Sequence, residues 1–387
     1  MQIYLDYSAT TPTRPEAIAL MQQVMTEQWG NPSSLHQWGG RAATVVERSR
    51  FQVADLLNAP SPDTIVFTSG GTESDNLAIM GIAQNYSTPQ HIIISDVEHP
   101  AITEPAHRLQ KLGWQVTKLP VNRQGRVNPD DLRAALQVNT VLVSIIFGQS
   151  EVGTVQPIEV LGQIARDHGA VFHTDAVQVA GRIPLDVQTL PVDLLSLSSH
   201  KLYGPQGIGA LYIRPGLTIM PLLRGGGQEF KLRSGTQAVP LIAGFGLAAT
   251  LAAEELDTEA LRLRQLRDRL FDQLANVDGL EPTGDRLHRL PHHVSFVLTH
   301  ADGIQFSGKT LVRQLNLAGI AVSSGSACHS GKLSPSPVLS AMGYADTLAT
   351  GGIRFSLGKH TLMEDIDWTS LVLKQLLARV QPALVIS

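Results

Sequence analysis

The chain has 387 residues, 43% hydrophobic and 17% charged, the balance of a globular protein rather than a disordered or fibrous one. Thirty basic against 34 acidic residues leave a net charge of −4, too even for a general nucleic-acid binder. The single cysteine excludes an internal disulfide and suits a reducing cytoplasm.

The sequence opens on MQIYLDYSATTP, with no basic segment leading into an apolar run, so no secretory leader is expected. Short apolar runs rich in β-branched residues then predict strands at Thr64–Thr68, His91–Ser95, Gln115–Leu119, Val141–Phe147, Ala170–Thr174, Leu194–Ser198 and Gly209–Ile213. Helical spacing falls between several of them, at Thr72–Gln84, Ala101–Leu112, Pro129–Leu136 and Pro157–His168. This alternation predicts an α/β fold with a mostly parallel seven-stranded sheet covered on both faces. No helical pattern separates the last two strands, which leaves room for an antiparallel pair.

A long helical pattern from Val239 to about Asn276 leads into a smaller unit. That unit reads as a strand from His292, a helix, a Ser/Gly/Pro-rich loop over Ser323–Pro337, a short strand near Ile353 and a terminal helix. Single cores stop growing at roughly 250–300 residues, so two domains are expected: residues 15–255, and residues 1–14 with 256–387. The Ser323–Pro337 loop is expected to be exposed and mobile. The most apolar stretch, Ala238–Ala253, is shorter than the ~20 residues of a membrane span. Pro240, Gly244 and Gly246 interrupt it, so a buried helix is expected and no membrane partner. Arg262, Arg264, Arg267 and Arg269 read as a solvated helix face. The thirteen histidines show no metal-ligand spacing, and His292-His293 read as a strand edge.

Three stretches carry chemistry. Ser69-Gly70-Gly71-Thr72-Glu73-Ser74 joins a predicted strand to a predicted helix, and its glycines, helix-terminal N–H groups and hydroxyls suit a phosphate. Such a turn is also common without a ligand, and no Gly-Lys-Ser/Thr follows to make a nucleotide P-loop. Asp175 lies at the carboxyl end of a strand, where α/β sheets bind ligands; the plain alternative is a helix N-cap. Lys201 lies in Ser196–Pro205, just past the end of a predicted strand, and alone it reads as a snorkelling surface lysine. A lysine and an aspartate converging from adjacent strand ends are what pyridoxal phosphate requires. The amine forms the Schiff base and the carboxylate keeps the ring nitrogen protonated.

The motifs YLDYSATTP, NPSSLHQWG, FTSGGTESDNLAI, EHPAI, HTDAVQ, SSHKLYGPQGIGALYIR, GGGQEFKLRSGT, SSGSACHSG and GGIRFSLG occur in one order from Tyr4 to the last helix. In this the chain resembles the cysteine desulfurases of the nitrogen-fixation and iron–sulfur-cluster type, within the class-V aminotransferases. The resemblance implies the aspartate-aminotransferase-like fold (fold type I) and a homodimer. It implies pyridoxal phosphate as cofactor, L-cysteine as substrate and a sulfur-acceptor protein, such as an iron–sulfur scaffold, as partner. By position, Lys201 resembles the Schiff-base lysine, Asp175 the partner of the pyridinium nitrogen and Gln178 that of the ring hydroxyl. His99 matches the histidine stacked over the ring that moves protons. Gly71, Thr72, Ser198 and His200 match the phosphate cradle, and Thr236 matches a ligand reaching in from the other subunit. Arg354, with Ser150 and Asn31, falls where the family binds the substrate, the arginine offering a fork to its carboxylate.

A lone cysteine is ordinarily a small buried hydrophobe, but Cys328 is flanked by Ser326, Ala327, His329, Ser330 and Gly331, with no apolar neighbour to bury it. The resemblance makes it the persulfide carrier, on the long loop of the class with a mobile cysteine. Two positions depart from the family. Ser150, in Gln149-Ser150-Glu151-Val152-Gly153, replaces an asparagine that contacts cofactor or substrate, and Phe230-Lys231 replace a basic-glycine pair near the subunit interface. An aminotransferase, a selenocysteine lyase and a sulfur-relay subunit without turnover are the alternatives weighed.

Overall fold

The computed structural model describes residues 2–299, 307–325 and 334–380. In chain order the main elements are β1 (Ile3–Tyr4), α1 (Pro15–Glu27), α2 (Gln37–Leu56), β2 (Ile65–Thr68), α3 (Gly71–Ala83), β3 (His91–Ser95), α4 (Pro100–Lys111), β4 (Gln115–Leu119), α5 (Pro129–Ala135), β5 (Thr140–Ser144), α6 (Ile158–His168), β6 (Val171–Asp175), β7 (Leu194–Ser198) and β8 (Gly209–Ile213). The remainder comprises α7 (Val239–Leu274), β9 (Leu280–Pro282), β10 (His293–Leu298), α8 (Gly308–Leu317), β11 (Ile320–Ala321), α9 (Pro337–Ala341), α10 (Asp346–Ala349), β12 (Gly352–Ser356) and α11 (Met363–Val380).

Seven strands form one sheet in the order β2-β8-β7-β6-β5-β3-β4. Only β8 runs against the rest, pairing antiparallel with both β2 and β7. Side chains alternate between two apolar layers, as the period of a strand requires. Phe67, Ile93, Val143, Phe172, Leu195 and Tyr212 face a core shared with α2, α6 and α7. Val66, Ile92, Ile94, Leu142, Leu194 and Leu211 face the core under α3 and α4. Strands β3, β4, β7 and β8 begin and end where the sequence places them. Expected strand Val141–Phe147 ends at Ser144, yet Ile145 and Phe147 still donate to the carbonyls of His173 and Asp175.

The second core surrounds a three-stranded antiparallel sheet, β12-β10-β9, and holds Phe271, Phe296, Leu311, Phe355 and Leu373. The N-terminus joins it: β1 pairs parallel with β11, placing Ile3 and Leu5 in this core.

The long helix expected from Val239 is present, and two other sequence expectations need correction. Helix α7 runs 36 residues without interruption. Pro240 sits in its first turn, where a missing N–H does no harm, and Gly244 and Gly246 admit α1 and α2 at close range. A Cβ on either glycine would lie 2.7 Å from Met21 Sδ or Ser49 Cβ. By length and composition alone α7 could cross a membrane, but 50% of its most apolar window is buried in the protein. The arginine row is no simple solvated face. Arg262 donates to the carbonyls of Gly358 and Thr361, and Arg267 is buried. Finally, His292 and His293 are both buried, and His293 opens the central strand of the small sheet rather than an edge.

Candidate active site

The parallel strands point their carboxyl ends to one side, and loops leaving β2, β3, β5, β6 and β7 meet there, joined by the N-terminal segment and β12. They enclose a cavity of about 340 Å³. Its lining contains Gly71, Thr72, His99, Ser150, Asp175, Gln178, Ser198, His200, Lys201 and Arg354, residues drawn from almost the whole chain.

Lys201 closes the 3-10 turn after β7, and its Nζ donates to the carbonyls of Ser8 (2.6 Å) and Ala9 (2.8 Å). Burial and the nearby Arg354 charge lower its pKa to about 8, against the pull of Asp175 and Asp6. Asp175 ends β6, and its Oδ1 accepts the Val177 N–H at 2.9 Å. Burial raises its pKa, opposed by His99 and Lys201. Gln178 donates through Nε2 to the Ser8 carbonyl at 3.0 Å.

His99 caps α4, its Nδ1 accepting the Ala101 N–H at 3.1 Å. An accepting Nδ1 leaves the ring proton on Nε2. Burial lowers the His99 pKa, against the pull of Asp175. His200 is likewise lowered to about 4 by burial and Lys201, and its Nδ1 lies 3.1 Å from Thr10 Oγ1.

Phosphate-sized space opens at the start of α3. Gly70 has φ +155°, a conformation that favours glycine, and a Cβ on Gly71 would lie 2.7 Å from Val177 Cγ2. The bare backbone therefore forms a wall of the cradle, with Thr72, Ser198 and His200 beside it. A lysine of lowered pKa, a buried carboxylate and this cradle fit a phosphorylated pyridine aldehyde such as pyridoxal phosphate.

Arg354, on β12, donates from Nη1 to the Ser150 carbonyl at 2.9 Å and from Nη2 to Asp6 at 2.7 Å. His293 Nε2 meets the same Ser150 oxygen at 3.1 Å. The structure does not bring every expected residue to the cavity. Asn31 and Thr236 are exposed and outside its lining, and Cys328 lies outside the described residues.

Ser8, Ala9, Asp75, Ile146 and Val177 line the cavity without having been singled out in the sequence. Asp75 is buried, with Oδ1 lacking a hydrogen-bond partner among the described residues and lying 3.7 Å from His173 Nε2. Burial and neighbouring Asp175 push the Asp75 pKa well up, while burial pulls that of His173 down to about 3. The only signal for Ser8 and Asp75 was their place inside YLDYSATTP and FTSGGTESDNLAI.

Comparison with known proteins agrees with this geometry. A family model described as aminotransferase class-V matches residues 3–368. A protein of Dictyoglomus turgidum named cysteine desulfurase IscS is 46% identical over 382 residues, 98% of this chain and 95% of that one. A solved structure described as a NifS-like protein superposes with a TM-score of 0.91 at 36% identity, covering 98% of this chain and 100% of the other. Another, described as SspA in complex with cysteine, has a TM-score of 0.81 at 33% identity and covers 94% and 100%.

Proposed function

This chain belongs to the aminotransferase class-V family, and on that premise we propose how it acts: it is a cysteine desulfurase that uses pyridoxal phosphate. The observation that carries the reading is the convergence of Lys201, Asp175, His99 and Arg354 on one cavity. A complex with cysteine among the structural relatives supports L-cysteine as substrate.

When bound, the cofactor supplies an electron sink that acidifies the substrate α-proton and weakens the bond from Cβ to sulfur. Thr72, Ser198, His200 and the first turn of α3 would hold its phosphate, Lys201 would anchor it through its amine, Asp175 would keep its ring nitrogen protonated and Gln178 would bond its ring hydroxyl. Arg354 takes the substrate carboxylate in its fork. Lys201, with a pKa near 8, is neutral often enough at physiological pH to accept the α-proton. His99, its pKa lowered by burial and its Nδ1 occupied by the Ala101 N–H, offers Nε2 to move a proton at the sulfur or at Cβ.

Cys328 then attacks the substrate sulfur as its thiolate. A sulfur–sulfur bond forms as the Cβ–S bond breaks; carbon keeps that electron pair, gains a proton and leaves as alanine. Cysteine and one thiol thus give alanine and one persulfide, with no outside reductant. The persulfide passes to an acceptor protein, such as an iron–sulfur scaffold. The protein works as a homodimer in the cytoplasm, with Thr236 reaching the partner's cofactor. Exposed Trp29, Leu35, Trp38 and Phe230 support the dimer, and a lone cysteine that must remain a thiol supports the reducing compartment. Residues 15–255 form the cofactor domain, and residues 1–14 with 256–387 the domain carrying Cys328.

Purified, cofactor-loaded protein given cysteine and a thiol reductant should release alanine and sulfide in equal amounts without a keto acid. A keto-acid requirement would mark an aminotransferase instead.

A further inference from the structure

The stretch that carries Cys328 leaves the described structure at Gly325 and returns at residue 334, and residues at both of its ends meet one buried side chain, that of Glu151. Glu151 follows β5 in the turn that also presents Ser150, and is 8% exposed. Its backbone N–H donates to Gln149 Oε1, as does that of Val152, which fixes the turn. Gly325 lies flat against the carboxyl, and a Cβ there would overlap Oε1, Cδ and Cγ of Glu151. The Ser336 hydroxyl lies against the same carboxyl while its Oγ accepts the Leu339 N–H at 3.1 Å, capping α9. Two further ties complete the frame. Ser323 and Arg354 exchange both backbone hydrogen bonds, at 3.1 and 2.7 Å, and the Ser336 N–H donates to the Ala349 carbonyl at 3.0 Å.

Packing alone does not explain a carboxyl here. Glu151 Oε1 is buried and has no hydrogen-bond partner among the described residues. Burial pushes its pKa up to about 7, against the pull of Ser336 and Arg354. An apolar side chain would fill such a place at lower cost than a half-satisfied acid.

We infer that Glu151 is a positioning residue for sulfur transfer, setting both ends of the Cys328 segment against Arg354, the residue that holds the substrate. The inference rests on the desulfurase reading above. The step it serves is the one already balanced: the Cys328 thiolate takes the substrate sulfur as the Cβ–S bond breaks. That attack needs two sulfurs in line, and a misplacement of about 1 Å can cost roughly 100-fold in rate.

The test uses full-length holoenzyme with Glu151→Ala, Glu151→Gln, Gly325→Ala and the double variant Gly325→Ala/Glu151→Ala. Rapid mixing with cysteine follows the cofactor absorbance, and quenched samples report persulfide on Cys328 by mass. Glu151→Ala and Gly325→Ala should slow persulfide formation by about 100-fold and leave the absorbance change at its wild-type rate. Glu151→Gln, which keeps the shape, should retain most of the rate. The double variant should be no slower than either single variant, because both act on the same contact. Persulfide at the wild-type rate in both single variants overturns the inference, and so does equal slowing of the absorbance change. A wild type that forms no persulfide overturns the desulfurase reading itself.

Discussion

Arg354 and Asp6 are joined Nη2 to Oδ1 at 2.7 Å, across 348 residues of sequence. The Ser150 carbonyl holds the guanidinium from a second side, leaving Arg354 Nε as a buried donor with no partner among the described residues. The fork is thus fixed before a substrate carboxylate arrives, which lowers the ordering cost of binding.

Replacing that fork by a point charge should show its worth. Arg354→Lys keeps the charge but loses the bidentate geometry. A hydrogen bond to a charged group is worth about 1.5–3 kcal/mol, so KM for cysteine should rise by roughly 10- to 100-fold with a smaller change in kcat. Steady-state kinetics of alanine release checks this, and an unchanged KM would place the substrate carboxylate elsewhere.

At Ser150 the side chain lines the cavity while its carbonyl is taken by Arg354 and His293. Ser150→Asn adds a carboxamide at the mouth of the substrate site without disturbing that carbonyl. KM for cysteine should fall several-fold. A rise in KM would show that the smaller side chain is required here.

Glu98 couples the site to pH. Its Oε1 accepts from Ser95 Oγ and from the Ile146 N–H, its Oε2 has no partner among the described residues, and burial pushes its pKa up to about 8. A carboxyl raised in the folded state contributes stability fully below its unfolded pKa of about 4.3. That contribution is lost as pH rises through about 8. Cofactor-free Glu98→Gln protein should therefore match the wild type near the lower limit and exceed it by a few kcal/mol at the upper one. Urea unfolding midpoints at the two pH values measure the difference, and a pH-independent gap would contradict it.

Glu229, Phe230 and Lys231 all have positive φ, at +46°, +57° and +67°. Left-handed backbone costs a residue with a side chain roughly 1–2 kcal/mol, partly offset by the greater unfolded-state freedom of glycine. The turn persists because Glu229 is buried against Arg50, Nη1 to Oε2 at 2.6 Å, and accepts the Phe67 N–H. Lys231→Gly should raise stability by about 0.5–1 kcal/mol; a lower unfolding midpoint would show that the Lys231 side chain stabilises the turn.

Strands such as His91–Ser95 and Leu194–Ser198 were legible because short apolar runs end at polar residues, and Lys201 and Asp175 were legible because they lie at the ends of such runs. The roles of Asp6, Ser8, Asp75 and Glu98 left no local pattern. Each depends on a partner far along the chain, as Ser8 does on Lys201 and Ser356. Helices α1 and α2 were missed for a related reason: their buried faces are set by contact with α7, and small residues such as Ala42 and Ser49 mark them weakly. Arg262 and Arg267 misled because a charge on a helix reads as solvated until the segment covering it is known.

The most direct measurement compares the wild type with Cys328→Ser, each loaded with cofactor and given cysteine and a thiol reductant. Desulfuration through Cys328 predicts equal alanine and sulfide from the wild type. The variant should release neither, although its cofactor spectrum still shifts on adding cysteine. Sulfide from Cys328→Ser at the wild-type rate would contradict it.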